Sequence, residues 1–176
     1  LLTKPFLDRF GIHAALKLYN DKALKHIAIR TASLMNIKID KEAAYEIAKR
    51  SRGTPRIVNR VLRRVRDFAQ VIGSGEITLD ITKSSLDRLG IDSNGLDNMD
   101  RTILATIIEK YNGGPVGLDT LSVSIGETKD TISDVYEPFL IQKGFITRTT
   151  RGRTATVKAY EYLGKKLDDD NQASLF

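Results

Sequence analysis

The chain has 176 residues, of which 41% are hydrophobic and 28% charged, enough to bury one ordinary core or two small ones. The absence of cysteine excludes disulfides and thiolate metal sites and is typical of a cytoplasmic protein, and no apolar run is long enough to span a membrane. The net charge of +6 is uneven, because residues 1–90 carry 18 basic and 9 acidic side chains whereas residues 91–176 carry 10 and 13.

Residues 1–18 form a short apolar segment with one proline and one glycine, which we expect to be the end of a preceding domain. The chain begins with leucine rather than methionine and shows no signal-peptide pattern. We therefore expect the amino-terminal part of a longer protein to be absent.

Residues 19–90 have the apolar spacing of a small all-helical domain. One helix is predicted from Asp21, a second is predicted to be capped by Asp40, and a third spans Pro55–Ile72, followed by a short fourth over residues 80–89. The side chains of the third helix that we expect to face the core are Ile57, Val61, Leu62, Val65, Phe68 and Ala69.

Residues 91–164 change character after a polar, glycine-containing segment, IDSNGLDNMD, which we interpret as the joint between two domains. Helices are predicted over residues 100–111, 118–125 and 130–143, and Pro138 should kink the last of these. Threonine-rich stretches on both sides of Arg151-Gly152 then predict a two-stranded hairpin. Three helices followed by a hairpin are the plan of a winged-helix domain, and the charged tail, residues 165–176, is predicted to be disordered.

The start of the third helix combines a Thr54 cap, Pro55 at the first helical position and Arg56 in the first turn. A cation there faces the positive end of the helix dipole, so an anion held at the same place would remove the mismatch. We therefore predict that Arg56 binds a phosphate. Arg60, Arg63 and Arg64 share its face, and for them a solvated surface and a contact with a neighbouring domain remain equally open.

A second basic cluster lies on the hairpin, since Lys143 to Lys158 contains five basic residues and no acidic one. Arg148, Arg151 and Arg153 surround the turn, with threonine hydroxyls between them, which suits DNA phosphates or a minor groove. An exposed hairpin kept soluble by charge is the alternative. The helix before the hairpin carries Asp130, Asp134 and Glu137, and we predict that this acidic face does not read a major groove.

Motifs for catalysis by this chain alone are missing from the sequence. It has no GxxxxGK[ST] loop, no zinc-ligand spacing, no dinucleotide fingerprint, and its two histidines, His13 and His26, have no spaced nucleophile or carboxylate.

Four stretches together resemble one known family: RGTPRIVNRVLRRVRDFA, GGPVGLDTL, EPFLIQKGFITRT and RGRTAT. They are similar to the carboxy-terminal part of the RuvB family, AAA+ ATPases that drive branch migration of Holliday junctions. Members have a P-loop domain, a small helical lid and a winged-helix DNA-binding domain. The resemblance implies a mainly α fold with the end of the AAA+ core at 1–18, the lid at 19–90, the winged helix with a two-stranded β wing at 91–164 and a tail at 165–176.

The resemblance also implies roles for individual residues. Arg56 in GTPR matches the sensor-2 arginine that reaches the nucleotide phosphates, Tyr19 matches a tyrosine that lies against the nucleotide, and Arg9 matches an arginine finger that acts on the ATP of a neighbouring subunit. The expected DNA contacts are Arg148 and Arg153, with Arg151 a further candidate at the turn and Lys129 at a position where many relatives have arginine.

The implied function is that of a homo-hexameric, ATP- and Mg²⁺-dependent motor that encircles duplex DNA at a Holliday junction, with RuvA and RuvC as partners. Without a P-loop, this chain is expected to be inactive alone. The tail sequence QASLF, Gln172 to Phe176, resembles peptides that dock on the replicative sliding clamp, although a chance match to so short a motif is the alternative.

Three other classes of protein remain open from the sequence. A winged-helix transcriptional regulator would need base-reading side chains where the third helix is acidic. Another AAA+ replication protein would share the lid and the arginine finger but not the wing sequence. A purely structural interaction module would leave Arg56 and the wing arginines unexplained.

Overall fold

The computed structural model describes Arg9 and residues 18–166, which form two compact units, one ending at Lys83 and the other beginning at Ser84. Both units are built mainly from α-helices, and the second adds a two-stranded antiparallel sheet. The predicted mainly α fold, with a helical lid and a winged helix, is confirmed. The expectations for most of the tail, for His13 and for most of residues 1–18 fall on residues that the structure does not describe.

The first unit packs three helices, α1 (Asp21–Leu34), α2 (Lys41–Lys49) and α3 (Pro55–Ile72), and is followed by α4 (Leu79–Arg88). Alanines on α1 and α2 let the two helices approach closely, and the apolar face of α3 packs against α1. A parallel bridge between Ile39 and Ile77 connects the start of α2 with the segment before α4. The buried core side chains of these helices are Leu24, Ala28, Ala32, Ala43, Ala44, Ile47, Ala48, Val58, Val61, Leu62, Val65 and Ala69.

Two local expectations for this unit are wrong. Asp40 stands at the N-cap position of α2, but its carboxylate makes no capping hydrogen bond, whereas Asn20 caps α1 by accepting from the Ala23 N–H at 2.8 Å. On α3, Val58 is fully buried and Ile57 only partly. Val58 therefore takes the place of Ile57 on the core face, whereas Val61, Leu62, Val65 and Ala69 are buried as predicted.

The described part of the second unit contains the end of α4 and five further α-helices. These are α5 (Asn98–Ala105), α6 (Leu118–Ile125), a short α7 (Lys129–Thr131), α8 (Glu137–Gln142) and α9 (Val157–Tyr162). Asp97 and Asp100 form a reciprocal capping box at the start of α5. From residue 96 onward, the buried hydrophobic side chains form one cluster: Leu96, Ile103, Leu104, Ile107, Ile108, Val116, Leu121, Ile132, Phe139, Leu140, Phe145, Ile146, Ala155, Ala159 and Tyr160.

Two π-helical turns interrupt the regular helices of this unit. One, Thr106–Lys110, continues α5, and the other, Ile132–Tyr136, joins α7 to α8 directly before Glu137-Pro138. Proline has no N–H and its ring collides with the carbonyl four residues earlier, so a regular helix cannot continue through it. The predicted disturbance at Pro138 therefore takes the form of a widened turn.

The wing is a hairpin of β1 (Ile146–Thr149) and β2 (Gly152–Ala155), paired so that Arg148 lies opposite Arg153. Val116 forms an antiparallel bridge with Arg153, with both backbone hydrogen bonds at 2.9 Å. Gly152 makes this approach possible, because a Cβ at that position would lie 2.3 Å from the Val116 carbonyl oxygen. The hairpin is thus bonded along one edge to the segment before α6.

Candidate nucleic-acid interface and nucleotide contacts

Arg56 lies exposed in the first turn of α3, where backbone N–H groups point out of the helix. The prediction that Thr54 caps this turn is wrong, because its hydroxyl donates to the Arg52 carbonyl oxygen at 3.1 Å and makes no capping hydrogen bond. Among the residues that the structure describes, neither the N–H nor the guanidinium of Arg56 has a hydrogen-bond acceptor. Both groups can therefore donate to an anion placed at this helix end.

Tyr19 lies next to the turn from which α3 starts. Its backbone N–H donates to the Gly53 carbonyl oxygen at 2.9 Å, and its side chain is exposed. Gly53 has a φ of +69°, and a Cβ there would lie 2.9 Å from the Leu18 Cβ, so glycine is required for this close approach. The fold thus brings Tyr19 to the same end of α3 as Arg56.

Arg9 is exposed and lies in a turn, and the residues on both sides of it lie outside the described residues. The role of Arg9 as an arginine finger therefore stays a prediction.

The wing arginines Arg148 and Arg153 are directly opposite each other on neighbouring strands. Side chains at opposed positions leave the sheet on the same face, and this face also carries the buried side chains of Ile146 and Ala155. Two like charges in this arrangement repel each other unless an anion lies between them.

Glu137 is that anion. Its Oε2 accepts from Arg153 Nε at 3.0 Å and from Arg153 Nη2 at 2.7 Å, and both side chains are buried, with 4% and 9% of their surface exposed. Its Oε1 lies 3.7 Å from Arg148 Nη1, whose side chain remains 68% exposed. The expectation that the wing arginines have no acidic partner is wrong, and so is the placement of Glu137 on an exposed acidic face.

Sequence reasoning missed Glu137 because its partner stands 16 residues away and the stretch between them looked uniformly basic. One signal is present in the sequence: Pro138 directly follows Glu137, which indicates that a new helical segment begins at Glu137. Asp130 and Asp134, the other two acidic residues of this stretch, are exposed as predicted.

The remaining predicted DNA contacts are exposed. Arg151 lies at the tip of the hairpin, and its backbone N–H donates to the Thr149 hydroxyl at 3.3 Å while its side chain projects into solvent. Lys129, at the start of α7, forms an ion pair of 2.7 Å with Asp119. Because both partners of that pair are solvated, the pair is weak and can be exchanged for a phosphate.

Two family models match the chain in succession. The RuvB AAA lid domain matches residues 19–92, and the RuvB C-terminal winged helix domain matches residues 93–164. Within the helices of residues 18–166, none has the length and apolar character needed to cross a bilayer.

Known proteins resemble the chain over most of its length. The Holliday junction branch migration complex subunit RuvB of Myxococcus xanthus is 57% identical over 176 residues, which is 100% of this chain and 51% of that protein. The protein of the same description from Staphylococcus haemolyticus is 59% identical over 161 residues, 92% of this chain and 49% of that protein. The chain thus spans about half the length of these curated relatives.

A solved structure has the same fold. The Thermotoga maritima RuvB Holliday junction branch migration motor superimposes with a TM-score of 0.91 at 51% identity, covering 95% of this chain and 56% of that one.

Proposed function

The chain belongs to the RuvB family, and on that premise we propose that it supplies the nucleotide-sensing lid and the DNA-binding winged helix of an ATP-driven motor for branch migration of Holliday junctions. The observation that carries this proposal is the wing itself. Two exposed arginines, Arg148 and Arg151, project from a hairpin that is bonded along one edge to the rest of its unit.

The wing binds the DNA backbone rather than a base sequence. Arg148 and Arg151 donate to phosphate oxygens, and Lys129 adds a third cation from the start of α7. Arg153 remains a proposed contact, but only through the edge of its guanidinium that Glu137 does not occupy. Exposed carboxylates at Asp130 and Asp134 disfavour insertion of this helix into a major groove, and this argues against a sequence-specific transcriptional regulator.

The lid senses the nucleotide at the start of α3. Arg56 and its open N–H fit a phosphate of ATP, and Tyr19 lies at the same helix end, where its ring can contact the nucleotide. Hydrolysis of ATP, bound with Mg²⁺, supplies the free energy that drives the motor. Because the 176 residues contain no P-loop motif, we expect this chain alone not to hydrolyse ATP. Arg9 acts in trans, on the ATP of a neighbouring subunit.

The proposed organisation follows the family, with residues 1–18 as the end of the AAA+ core, 19–90 as the lid, 91–164 as the winged helix and 165–176 as a tail. In the cytoplasm, a homo-hexamer of the whole protein would act with RuvA, and RuvC would follow. Docking of Gln172 to Phe176 on the sliding clamp is a separate, weaker proposal.

Binding of the chain to a four-way junction and to unrelated duplexes, measured over a series of salt concentrations, tests the DNA-binding role. For Arg148→Ala plus Arg151→Ala, we expect affinity to fall on the order of 10-fold or more and the slope of log K against log salt to decrease by about two. Arg63→Ala plus Arg64→Ala removes the same charge from exposed positions of α3 and serves as the matched control, with little expected change. Tight binding to one sequence, unaffected by the wing changes, would instead favour a regulator.

A further inference from the structure

Glu137 is a buried carboxylate shared unequally by two arginines. One oxygen accepts two hydrogen bonds from Arg153, at 3.0 and 2.7 Å, whereas the other has no hydrogen-bond partner among the described residues. The nearest cation to that second oxygen is Arg148 Nη1 at 3.7 Å, which is beyond hydrogen-bond length. We propose that Glu137 is a positioning residue for DNA binding, which holds Arg153 in place and leaves Arg148 free to exchange its long ion pair for a phosphate oxygen.

Arg153 is the fixed member of this group. Its backbone is bonded to Val116 through both its N–H and its carbonyl, and its guanidinium is almost fully buried against Glu137. Burying a guanidinium is strongly unfavourable unless a carboxylate compensates for the lost hydration. The pair therefore stays closed whether or not DNA is present.

Arg148 is the exchangeable member. Its side chain is largely exposed, and its 3.7 Å separation from Glu137 Oε1 gives only a weak, non-directional attraction. When Arg148 turns to a phosphate, the buried negative charge of Glu137 is still balanced by its ion pair with Arg153. The carboxylate thus prevents repulsion between the two opposed arginines without binding Arg148 tightly enough to compete with DNA.

The backbone around Glu137 accounts for its orientation. The π-helical turn Ile132–Tyr136 inserts extra chain into the helical path just before it, and Pro138 ends the preceding hydrogen-bond pattern just after it. Both features change the direction in which residue 137 leaves the helix. Asp134, in the same turn, is exposed, whereas Glu137 is buried beneath the wing.

Glu137→Gln tests the proposal, which rests on the proposed binding of DNA by the wing. The glutamine carbonyl still accepts from Arg153, so we expect the hairpin to stay folded. The NH2 group of the glutamine, however, replaces the carboxylate oxygen nearest to Arg148, and a hydrogen-bond donor there no longer attracts the guanidinium. DNA affinity should therefore fall by about 5-fold although the chain gains positive charge. Asp134→Asn removes an exposed carboxylate nearby, is the matched control for charge, and should bind as well as the unmodified chain or better.

Two further measurements separate positioning from folding. Amide hydrogen exchange at Val116 and Arg153 reports whether the bridge between them persists, and in Glu137→Gln we expect their protection to fall no further than that of other buried amides of the same unit. In addition, Arg148→Ala should weaken binding less in the Glu137→Gln background than in the unmodified chain, because Arg148 is already misplaced there.

Each contrary outcome overturns the proposal in its own way. If Glu137→Gln binds DNA as tightly as Asp134→Asn does, Glu137 has no positioning role. If affinity and amide protection are lost together, Glu137 serves only to fold the wing. The proposed function fails separately, if the unmodified chain does not bind DNA or if Arg148→Ala plus Arg151→Ala leaves binding unchanged.

Discussion

The Tyr162 hydroxyl donates a hydrogen bond to Asp92 Oδ2, joining two residues that stand 70 positions apart in the chain. The other oxygen of Asp92 accepts from the Asn94 and Leu96 N–H groups at 2.8 and 2.9 Å. The Tyr162 ring packs edge-on against Phe145, with the ring centroids 5.3 Å apart. The polar segment that the sequence suggested as a joint is therefore bonded to the last helix of the winged-helix unit, at least from Asp92 to Leu96.

This bond makes stability depend on pH in alkaline solution. Burial and the hydrogen bond to Asp92 raise the pKa of Tyr162 from 10.0 to about 12. The folded chain then keeps the phenol proton that the unfolded chain loses first, so the stabilisation is complete below pH 10 and is lost as pH rises from there to about 12. Tyr162→Phe should lower the free energy of unfolding by about 1 kcal/mol at neutral pH and remove this alkaline component.

Urea unfolding at neutral pH and at about pH 11 measures both effects. Asp92→Asn keeps the tyrosine buried but removes the carboxylate, so its alkaline component should be smaller than that of the unmodified chain. If the free energy of unfolding falls from neutral pH to about pH 11 by the same amount in Tyr162→Phe as in the unmodified chain, the assignment to Tyr162 is wrong.

Gly152 sets how closely β2 approaches Val116, and this gives a prediction about stability. An alanine Cβ at 152 would lie 2.3 Å from the Val116 carbonyl oxygen, so Gly152→Ala should cost about 3 kcal/mol of unfolding free energy. Gly144→Ala is the control, because Gly144 also has a positive φ, +73°, but nothing within 4 Å of its added Cβ. It should cost only about 1 kcal/mol, the penalty for a left-handed conformation. If urea unfolding shows that the two variants are destabilised equally, β2 can move away from Val116 without loss of stability, and the prediction is wrong.

Local signals explain which parts of the fold could be predicted. The bounds of α3 match the prediction, Pro55–Ile72, because a proline favours the first helical position and a glycine follows the last. The hairpin was predicted from Arg151-Gly152 between threonine-rich stretches, and the turn lies one residue earlier, at Thr150-Arg151, with Gly152 as the first residue of β2. In each case a few neighbouring residues determine the backbone conformation.

The parts that could not be predicted depend on contacts between distant residues. Pro138 indicates that a new helical segment begins near Glu137, but the position of Glu137 under the wing depends on the π-helical turn and on the strand register as well. The Thr54 hydroxyl can either cap the helix or donate to the carbonyl of Arg52. The backbone conformation of the turn at Gly53 determines which of the two hydrogen bonds forms. The assignments of Arg9 and Tyr19 came from family resemblance and from no local signal.

The pair Glu46–Arg50 on the lid should contribute far more to stability than its exposed counterpart, Lys38–Glu76. Arg50 Nη2 lies 2.7 Å from Glu46 Oε1, and the two side chains are only 7% and 16% exposed, whereas the Lys38–Glu76 pair, at 2.8 Å, is solvated. Glu46 is one partner of the buried Arg50 guanidinium, which it contacts at Nε (2.8 Å) and Nη2 (2.7 Å), so loss of its charge in Glu46→Gln should destabilise by about 1–2 kcal/mol. Glu76→Gln should leave the free energy of unfolding nearly unchanged. Urea unfolding followed by circular dichroism compares the two variants, and equal effects would contradict a larger contribution from the buried pair.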